Sequence, residues 1–170
     1  MFEKLALNEG DTLLDLGCGA GDYSLYAAKI VGESGNVYAL DLWQDMLDKV
    51  CEEAATQGIH NIHPVVSDIR KRINIPDKSI DACLIATVLH TLDFSLAQTK
   101  LFAELKRTIK FLGKLAIIEC KKENTFHGPP LHMRISPEEL EKGLGEYGFK
   151  KIDYADWGTN YMALFVLNNP

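Results

Sequence analysis

The chain has 170 residues, of which 46% are hydrophobic and 25% charged, a composition that fits one globular domain spanning residues 1–170. Its formal net charge of −6 disfavours a nucleic-acid-binding protein, because such proteins present a basic surface. No apolar run reaches the length of a membrane span, and the first residues lack the apolar core of a signal peptide, so we expect a cytoplasmic protein.

Cysteine spacing disfavours a metal or disulfide framework. The four cysteines are far apart in the sequence and form no CxxC pair. We therefore expect reduced thiols that are mostly small buried hydrophobic residues, and we expect no metal site. These cysteines are Cys18, Cys51, Cys83 and Cys120.

Strand-like and helix-like segments alternate along most of the chain, an order typical of parallel strands joined by crossover helices. Strands are predicted at residues 12–17, 36–41, 62–68, 80–87 and 114–120. Helices are predicted at residues 23–32, 45–58 and 95–111. Ligands of such sheets bind beyond the carboxyl ends of the strands, where the strand order reverses.

The C-terminal part of the chain has its own signals. An irregular stretch with two consecutive prolines precedes a helix at residues 136–148, which has a complete start signal in Ser136, Pro137 and Glu139. Strands at 150–157 and 160–167 are joined by Gly-Thr and predict an antiparallel hairpin. The predicted fold is a doubly wound, Rossmann-like α/β domain with a mostly parallel seven-stranded sheet.

A glycine-rich loop, LLDLGCGAGD, follows the first predicted strand and opens the first helix. Such loops often bind phosphate through backbone N–H groups. The dinucleotide fingerprint G-x-G-x-x-G is broken, however, because Asp22 occupies the position of its third glycine. A Walker loop is also excluded, because no Lys-Ser or Lys-Thr follows.

Carboxylates distinguish this loop from a phosphate site. Asp15, Asp41 and Asp68 fall at the ends of three successive predicted strands, and the loop contains no lysine or arginine. Two unit charges about 4 Å apart interact by roughly 4 kcal/mol at an effective dielectric constant near 20. A pyrophosphate would be repelled on that scale, whereas a ligand with an ammonium and a sulfonium group would be attracted.

These residues resemble those of the class I S-adenosylmethionine-dependent methyltransferases. DLGCGAG at residues 15–21 is similar to the first motif of that family, whose loop backbone wraps the methionine and ribose parts of the cofactor. The likeness covers nearly the whole chain, and it is nearest to small methyltransferases of ubiquinone and menaquinone biosynthesis, the methyltransferase type 11 group. It implies S-adenosylmethionine as cofactor and a small-molecule methyl acceptor.

The resemblance also implies a role for each acid. Asp15 would face the amino group of the cofactor, Asp41 would hold both ribose hydroxyls, and Asp68 would accept a hydrogen bond from the adenine amine. Leu42 would pack on the adenine, and Cys18 would contribute only its backbone. The implied cofactor-binding residues are Asp15, Gly17, Cys18, Gly19, Gly21, Asp41, Leu42, Asp68, Ile69 and Thr87.

Two of these acids also have a structural interpretation. Asp41 fits a helix cap and Asp68 fits the cap of a turn. Asp15 is harder to explain in this way, because an acid within a buried apolar strand needs a partner.

Methyl transfer from a sulfonium needs a base only when the acceptor must lose a proton. His90 follows the fourth predicted strand and is the candidate catalytic base, with a locally packed histidine as the alternative. Glu119 leaves the fifth strand at the same edge and is a candidate substrate contact. His127, His132 and Arg134 in the irregular stretch are further candidates, since an arginine there suits a carboxylate or phosphate.

The sequence departs from the family pattern in two places. Residues 110–113, Lys-Phe-Leu-Gly, replace the usual Lys-Pro-Gly-Gly turn before the fifth strand, which indicates a looser turn. Only about a dozen residues precede the first strand, where relatives carry helices that cover the pocket. The pocket is therefore expected to be open, or covered by a partner or a second copy in a homo-oligomer.

Three other classes remain open from the sequence. A nucleotide-binding oxidoreductase is disfavoured by the missing glycine and the acids. A catalytically silent methyltransferase-like binding subunit is consistent with the short N-terminus. An arsenic methyltransferase would need several thiols at the pocket, and only Cys120 is predicted at the right edge.

Overall fold

A computed structural model gives the structure of residues 1–124 and 128–169, with the side chain of Ser95 left out. The strands of these residues are β1 (Thr12–Leu16), β2 (Asn36–Asp41), β3 (Ile62–Val66), β4 (Ile80–Ala86), β5 (Ile109–Cys120), β6 (Phe149–Trp157) and β7 (Asn160–Leu167). The α-helices are α1 (Phe2–Leu5), α2 (Asp22–Val31), α3 (Gln44–Thr56), α4 (Phe94–Thr108) and α5 (Pro137–Gly145).

The strands form one sheet in the order β3-β2-β1-β4-β5-β7-β6. Strands β1 to β5 are parallel, and β7 lies antiparallel between β5 and β6. This is the predicted doubly wound fold with its C-terminal antiparallel hairpin. The strand order reverses between β1 and β4, so the loops after these two strands meet at the edge where such sheets bind ligands.

The core lies on both faces of the sheet, because successive side chains of a strand point in opposite directions. In β1, Leu14 and Leu16 join a cluster that includes residues of α4 and α5. Leu13 joins a second cluster with residues of α1 and α2. All three leucines are fully buried. This packing fixes β1 between two helical layers and sets the start of the glycine-rich loop.

The junction before β5 differs from the prediction. Helix α4 ends at Thr108 rather than 111, and β5 begins at Ile109 instead of after a turn. The end of α4 is tied to the preceding loop, since Ser79 N donates to the carbonyl of Thr108 at 2.9 Å. Residues 110–113 instead interrupt the pairing with β4, and Leu112 there has a φ of 63°.

The N-terminal residues contain a short helix that the sequence did not predict. In α1, Leu5 is buried in the second cluster, and Lys4 forms an ion pair with Asp153 of β6. The ring of Phe2 stacks on Tyr26 of α2 at 5.0 Å between centroids. This segment therefore packs against the sheet and α2.

One further prediction from a local sequence signal agrees with the structure. The predicted capping box is present: Glu139 N donates to Ser136 Oγ at 3.3 Å, and Ser136 N donates to Glu139 Oε2 at 2.7 Å. Pro64 lies in β3, an edge strand, where a missing N–H is tolerated. Within residues 1–124 and 128–169, no helix combines the length and the apolar character needed to cross a bilayer.

Candidate functional site

The glycine-rich loop has a backbone that only glycine adopts without strain. Gly17, Gly19 and Gly21 have φ values of 81°, 53° and 90°. A Cβ on Gly17 would lie 2.4 Å from a methyl of Val88, and one on Gly21 would lie 2.5 Å from a methyl of Val50. At Gly19 a Cβ would meet nothing within 4 Å. The loop is thus held closely at both ends and borders open space in its middle.

Asp41 links this loop to the start of α3. It is 9% exposed at the end of β2, and its Oδ2 accepts a hydrogen bond from Gly19 N at 2.9 Å. Its Oδ1 accepts from Trp43 N at 3.0 Å, but Trp43 is the N-cap of α3 and has no side-chain cap, so Asp41 is not the helix cap that the sequence offered as the alternative. The adjacent side chains of Leu42 and Trp43 are 48% and 63% exposed, which leaves an apolar surface beside the carboxylate.

Asp15 is buried inside β1, with 1% of its surface exposed. Its Oδ2 accepts a hydrogen bond from Ser24 Oγ at 2.6 Å. Burial raises the pKa of Asp15 to about 6, and the negative charge of Asp41 adds to the shift. Neither Asp15 nor Asp41 forms an ion pair with any residue of the described chain.

Asp68 differs from the other two acids because it already has a cationic partner. Arg70 donates from Nε to Oδ1 and from Nη2 to Oδ2, each at 2.8 Å. The Arg70 hydrogen bonds lower the pKa of Asp68 to about 2. Arg70 N also donates to Asp68 Oδ1 at 2.9 Å, and Lys71 N donates to the Asp68 carbonyl at 2.8 Å, so the turn capped by Asp68 that was offered as the alternative is present. Ile69 beside it is buried and belongs to the core cluster that includes residues of α4 and α5.

Thr87 lies immediately after β4, and the side chain of the next residue, Val88, packs against Gly17 of the glycine-rich loop. Thr87 has a φ of 56°, which is unusual for a β-branched residue, and its N–H donates to the carbonyl of Ile118 at 2.8 Å. Strained backbone of this kind is common where a binding site fixes the chain.

His90 and Glu119 form a closely coupled pair where β4 and β5 end. His90 lies on a single 3-10 turn, and its Nδ1 is 2.7 Å from Glu119 Oε2. Glu119 is 1% exposed, and its Oε1 accepts from Leu89 N at 2.7 Å. Both carboxylate oxygens thus have partners within the protein. The sequence predicted Glu119 as a substrate contact, and its geometry instead directs it to His90.

Arg134 is buried, with 4% of its surface exposed. Its guanidinium donates to three backbone carbonyls, those of Pro129 at 2.7 Å, Lys121 at 3.0 Å and Glu123 at 2.7 Å. It therefore holds the irregular segment together, which differs from the predicted contact with an anionic substrate. His132 is exposed on a 3-10 turn nearby, and His127 lies outside the described residues.

A cavity of about 860 Å³ lies between the turn after β4, the start of α4, and α5. The side chains of His90 and Glu119 are not in its lining, although Thr91 and Leu92 are. It has an aromatic wall and a charged rim. The aromatic wall is formed by Phe94, Phe102 and Tyr147, and the charged rim includes Lys122, His132, Glu139, Lys142 and Glu146.

This cavity was not predicted from the sequence, although Gly143 was a usable signal. Gly143 lies inside α5, where glycine is costly, and it lines the cavity. A Cβ there would lie 2.8 Å from Phe102 Cε2. An interior glycine on an amphipathic helix can therefore indicate a close approach, here of α5 to the ring of Phe102 in the cavity wall.

The thiols are poorly suited to binding a soft ion. Burial raises the pKa of Cys18, of Cys83 and of Cys120, which disfavours the thiolate form. Across residues 1–124 and 128–169, no cluster of three or more His, Cys, Asp or Glu side chains could hold a metal ion.

Comparison with known proteins agrees with the fold. A family model described as a methyltransferase domain matches residues 7–168. The crystal structure of a SAM-dependent methyltransferase from Aquifex aeolicus has a TM-score of 0.87 and 32% identity, covering 98% of this chain and 87% of that chain. The chain belongs to the class I S-adenosylmethionine-dependent methyltransferases.

Two curated relatives carry more specific names. A demethylmenaquinone methyltransferase of Lactobacillus johnsonii is 33% identical over 121 residues, which cover 71% of this chain and 48% of that protein. An arsenite methyltransferase of Halobacterium salinarum is 24% identical over 173 residues, covering 93% of this chain and 42% of that protein. The chain thus spans about half the length of the curated relatives it matches.

Proposed function

We propose that this chain binds S-adenosylmethionine at the edge formed by the glycine-rich loop and the end of β2, and transfers its methyl group to a small-molecule acceptor. The observation that carries the proposal is the pair of buried acids, Asp15 and Asp41, which have no cationic partner in the described chain. Acids in such positions fit a ligand that carries an ammonium and a sulfonium charge, since each charge would offset the cost of burying a carboxylate.

Each part of the edge has a role in this proposal. The backbone of residues 17–21 surrounds the methionine and ribose parts, and the open space at Gly19 leaves room for them. Asp15 faces the amino group, and Asp41 accepts hydrogen bonds from the ribose hydroxyls with the lone pairs that Gly19 N and Trp43 N leave free. The exposed side chain of Leu42 packs on the adenine.

Asp68 and Ile69 complete the adenine end. Asp68 can accept a hydrogen bond from the adenine amine while Arg70 remains bound, because each carboxylate oxygen has two acceptor positions. Arg70 then fixes the direction of the carboxylate. Thr87 lies across the loop from these residues, where its strained backbone holds Val88 against Gly17.

The bound cofactor supplies a methyl group that is already activated by the sulfonium. The protein aligns this methyl with the acceptor and excludes water, which can contribute several kcal/mol or more. His90 lies at the same edge and is the candidate base for an acceptor that must lose a proton.

The acceptor is placed in the cavity beside α5. Its volume of about 860 Å³ lies in the range of roughly 300–1,000 Å³ common for small-molecule sites. Thr91 and Leu92 line it and directly follow His90 in the chain, so the cavity lies beside the turn that carries the candidate base. The two named relatives are, by their names, methyltransferases of demethylmenaquinone and of arsenite, which are also small acceptors.

Calorimetry and labelling test the proposal together. S-adenosylmethionine should bind the purified protein with a stoichiometry near one per chain, whereas NADH should give no heat. Incubation with methyl-labelled S-adenosylmethionine and the small-molecule fraction of a cell extract should transfer label to a product. Binding without any transfer would instead support the catalytically silent binding subunit, and binding of NADH alone would support the oxidoreductase.

A further inference from the structure

We propose that Glu119 is a positioning residue that fixes the tautomer of His90 with its hydrogen on Nδ1, so that Nε2 takes a proton from the acceptor. The acceptor class that follows is a protic group, a hydroxyl or an N–H, rather than an atom that reacts through a bare lone pair. This inference rests on the proposed methyl transfer and adds the chemistry of the acceptor atom.

The carboxylate of Glu119 is fixed in place before it meets the ring. Its Oε1 accepts from Leu89 N at 2.7 Å, and the side chain is 1% exposed. Leu89 is also fully buried, so the peptide that supplies this N–H cannot readily move. The second oxygen, Oε2, is therefore held at a defined position beside His90.

The tautomer of His90 follows from this geometry. A carboxylate only accepts hydrogen bonds, so a ring nitrogen 2.7 Å from Oε2 must be the one that carries hydrogen. In the neutral ring the lone pair then lies on Nε2, on the other side of the imidazole. No group of the described chain makes a hydrogen bond with Nε2.

The surroundings suit this pair to proton transfer more than to simple packing. The two residues are 29 positions apart, with His90 on the turn after β4 and Glu119 at the end of β5, so they lie beside the point between β1 and β4 where the strand order reverses. The His90 side chain is 17% exposed, whereas that of Glu119 is 1% exposed. The Glu119 carboxylate is thus shielded from solvent, whereas part of the His90 ring is exposed to solvent.

The acceptor, His90 and the methyl donor account for every proton and electron pair in the proposed step. The proton of the acceptor passes to Nε2, and the electron pair of its broken bond forms the new bond to the methyl carbon. The carbon–sulfur bond breaks with its electron pair on sulfur, so the sulfonium charge is lost as the imidazolium charge appears. Glu119 stabilises that imidazolium through the Nδ1 hydrogen bond, and the proton later passes to water.

Glu119→Gln is the discriminating variant. The amide keeps the volume and an oxygen for Leu89 N, but it presents an NH₂ group to the ring, so Nδ1 must become the acceptor and Nε2 must carry the hydrogen. The nitrogen chemical shifts of the imidazole in long-range ¹H–¹⁵N spectra report the tautomer without any cofactor present. We expect the Nδ1–H form in the wild type and the Nε2–H form in the variant.

Activity supplies the second measurement. With methyl-labelled S-adenosylmethionine and the small-molecule fraction of a cell extract, transfer should fall about 100-fold or more in Glu119→Gln, as loss of a general base does. The affinity for S-adenosylmethionine should stay within about twofold. Glu123→Gln, which removes an exposed acid a few residues away, is the control and should match the wild type in both measurements.

The outcomes separate this inference from the proposed function. A wild-type protein with the His90 hydrogen on Nε2 overturns the inference. This measurement uses the wild type alone and does not depend on whether a variant folds. A change of tautomer with unchanged transfer also overturns it, because His90 would then be only a packing residue. Failure of the wild type to bind S-adenosylmethionine, with the Nδ1–H tautomer present, would overturn the proposed function instead.

Discussion

Asp41 accepts a 2.9 Å hydrogen bond from the backbone N–H of Gly19, so the end of β2 holds the middle of the glycine-rich loop. The same carboxylate accepts from Trp43 N at the start of α3. Two backbone donors thus align Asp41 before any ligand arrives. A carboxylate fixed in this way can meet ribose hydroxyls with little loss of side-chain entropy.

Asp41→Ala should weaken binding of S-adenosylmethionine by about 1–3 kcal/mol, or roughly 5- to 150-fold in Kd, because a charged hydrogen-bond partner is deleted. Isothermal titration calorimetry measures the change. Glu33→Ala removes an exposed charge in the turn after α2 and serves as the control. Equal affinity in Asp41→Ala and wild type would remove Asp41 from the proposed ribose contact.

Much of this edge could be predicted because it depends on local patterns. Alternation of strands and helices predicted a doubly wound, mostly parallel sheet, and such a sheet brings Asp15 and Asp41 of the neighbouring strands β1 and β2 to one edge. The neighbouring strands β4 and β5 likewise place His90 and Glu119 at one edge. Their 2.7 Å contact could not be predicted, because it depends on the turn after β4.

The predictions for Asp68 and Arg134 were incomplete or wrong for identifiable reasons. Arg70 was available in the sequence as a partner for Asp68, but its bidentate geometry depends on the turn after β3. The irregular stretch gave no sign that Arg134 would be buried, because the carbonyls of Pro129, Lys121 and Glu123 that it binds come from a loop without periodicity. Tertiary contacts decide the orientation of such side chains.

Asp15→Asn should stabilise the cofactor-free protein at neutral pH. The folded-state pKa of Asp15 is raised from 3.8 to about 6, a shift of about 2 units that corresponds to about 3 kcal/mol. Below pH 3.8 the acid is neutral in both the folded and the unfolded state. The wild type therefore loses stability as the pH rises from about 4 to about 6, and the asparagine variant does not.

Urea denaturation across this pH window checks the prediction. The difference in free energy of unfolding between Asp15→Asn and wild type should grow from near zero at pH 4 to its full size above pH 6. The amide oxygen can still accept from Ser24 Oγ, so this contact is kept. The same variant should bind S-adenosylmethionine more weakly, and a difference that does not vary with pH would contradict the assigned burial cost.

Two glycines of α5 give a matched test of the cavity. A Cβ at Gly143 would lie 2.8 Å from Phe102 Cε2, whereas at Gly145 it would meet nothing within 4 Å. Gly145→Ala should stabilise the protein by up to about 1 kcal/mol through helix propensity. Gly143→Ala should lose about 1–3 kcal/mol by overpacking, because the ring of Phe102 is fully buried.

The two variants, Gly143→Ala and Gly145→Ala, should also differ in methyl transfer. Gly143→Ala narrows the cavity and should reduce methyl transfer to the acceptor while leaving the affinity for S-adenosylmethionine unchanged. Gly145→Ala should leave both unchanged. Equal transfer in the two variants, measured with the same labelled extract, would place the acceptor outside this cavity.

Arg134→Lys should destabilise the protein by about 1–3 kcal/mol, although the charge is kept. The guanidinium reaches Pro129, Lys121 and Glu123 carbonyls through Nε and Nη1, and a single ammonium cannot reproduce this fork. Arg72→Lys, at an exposed position, is the control and should change stability by less than about 0.5 kcal/mol. If Arg134 instead served to bind an anionic acceptor, Arg134→Lys would retain full stability in urea and lose only methyl transfer.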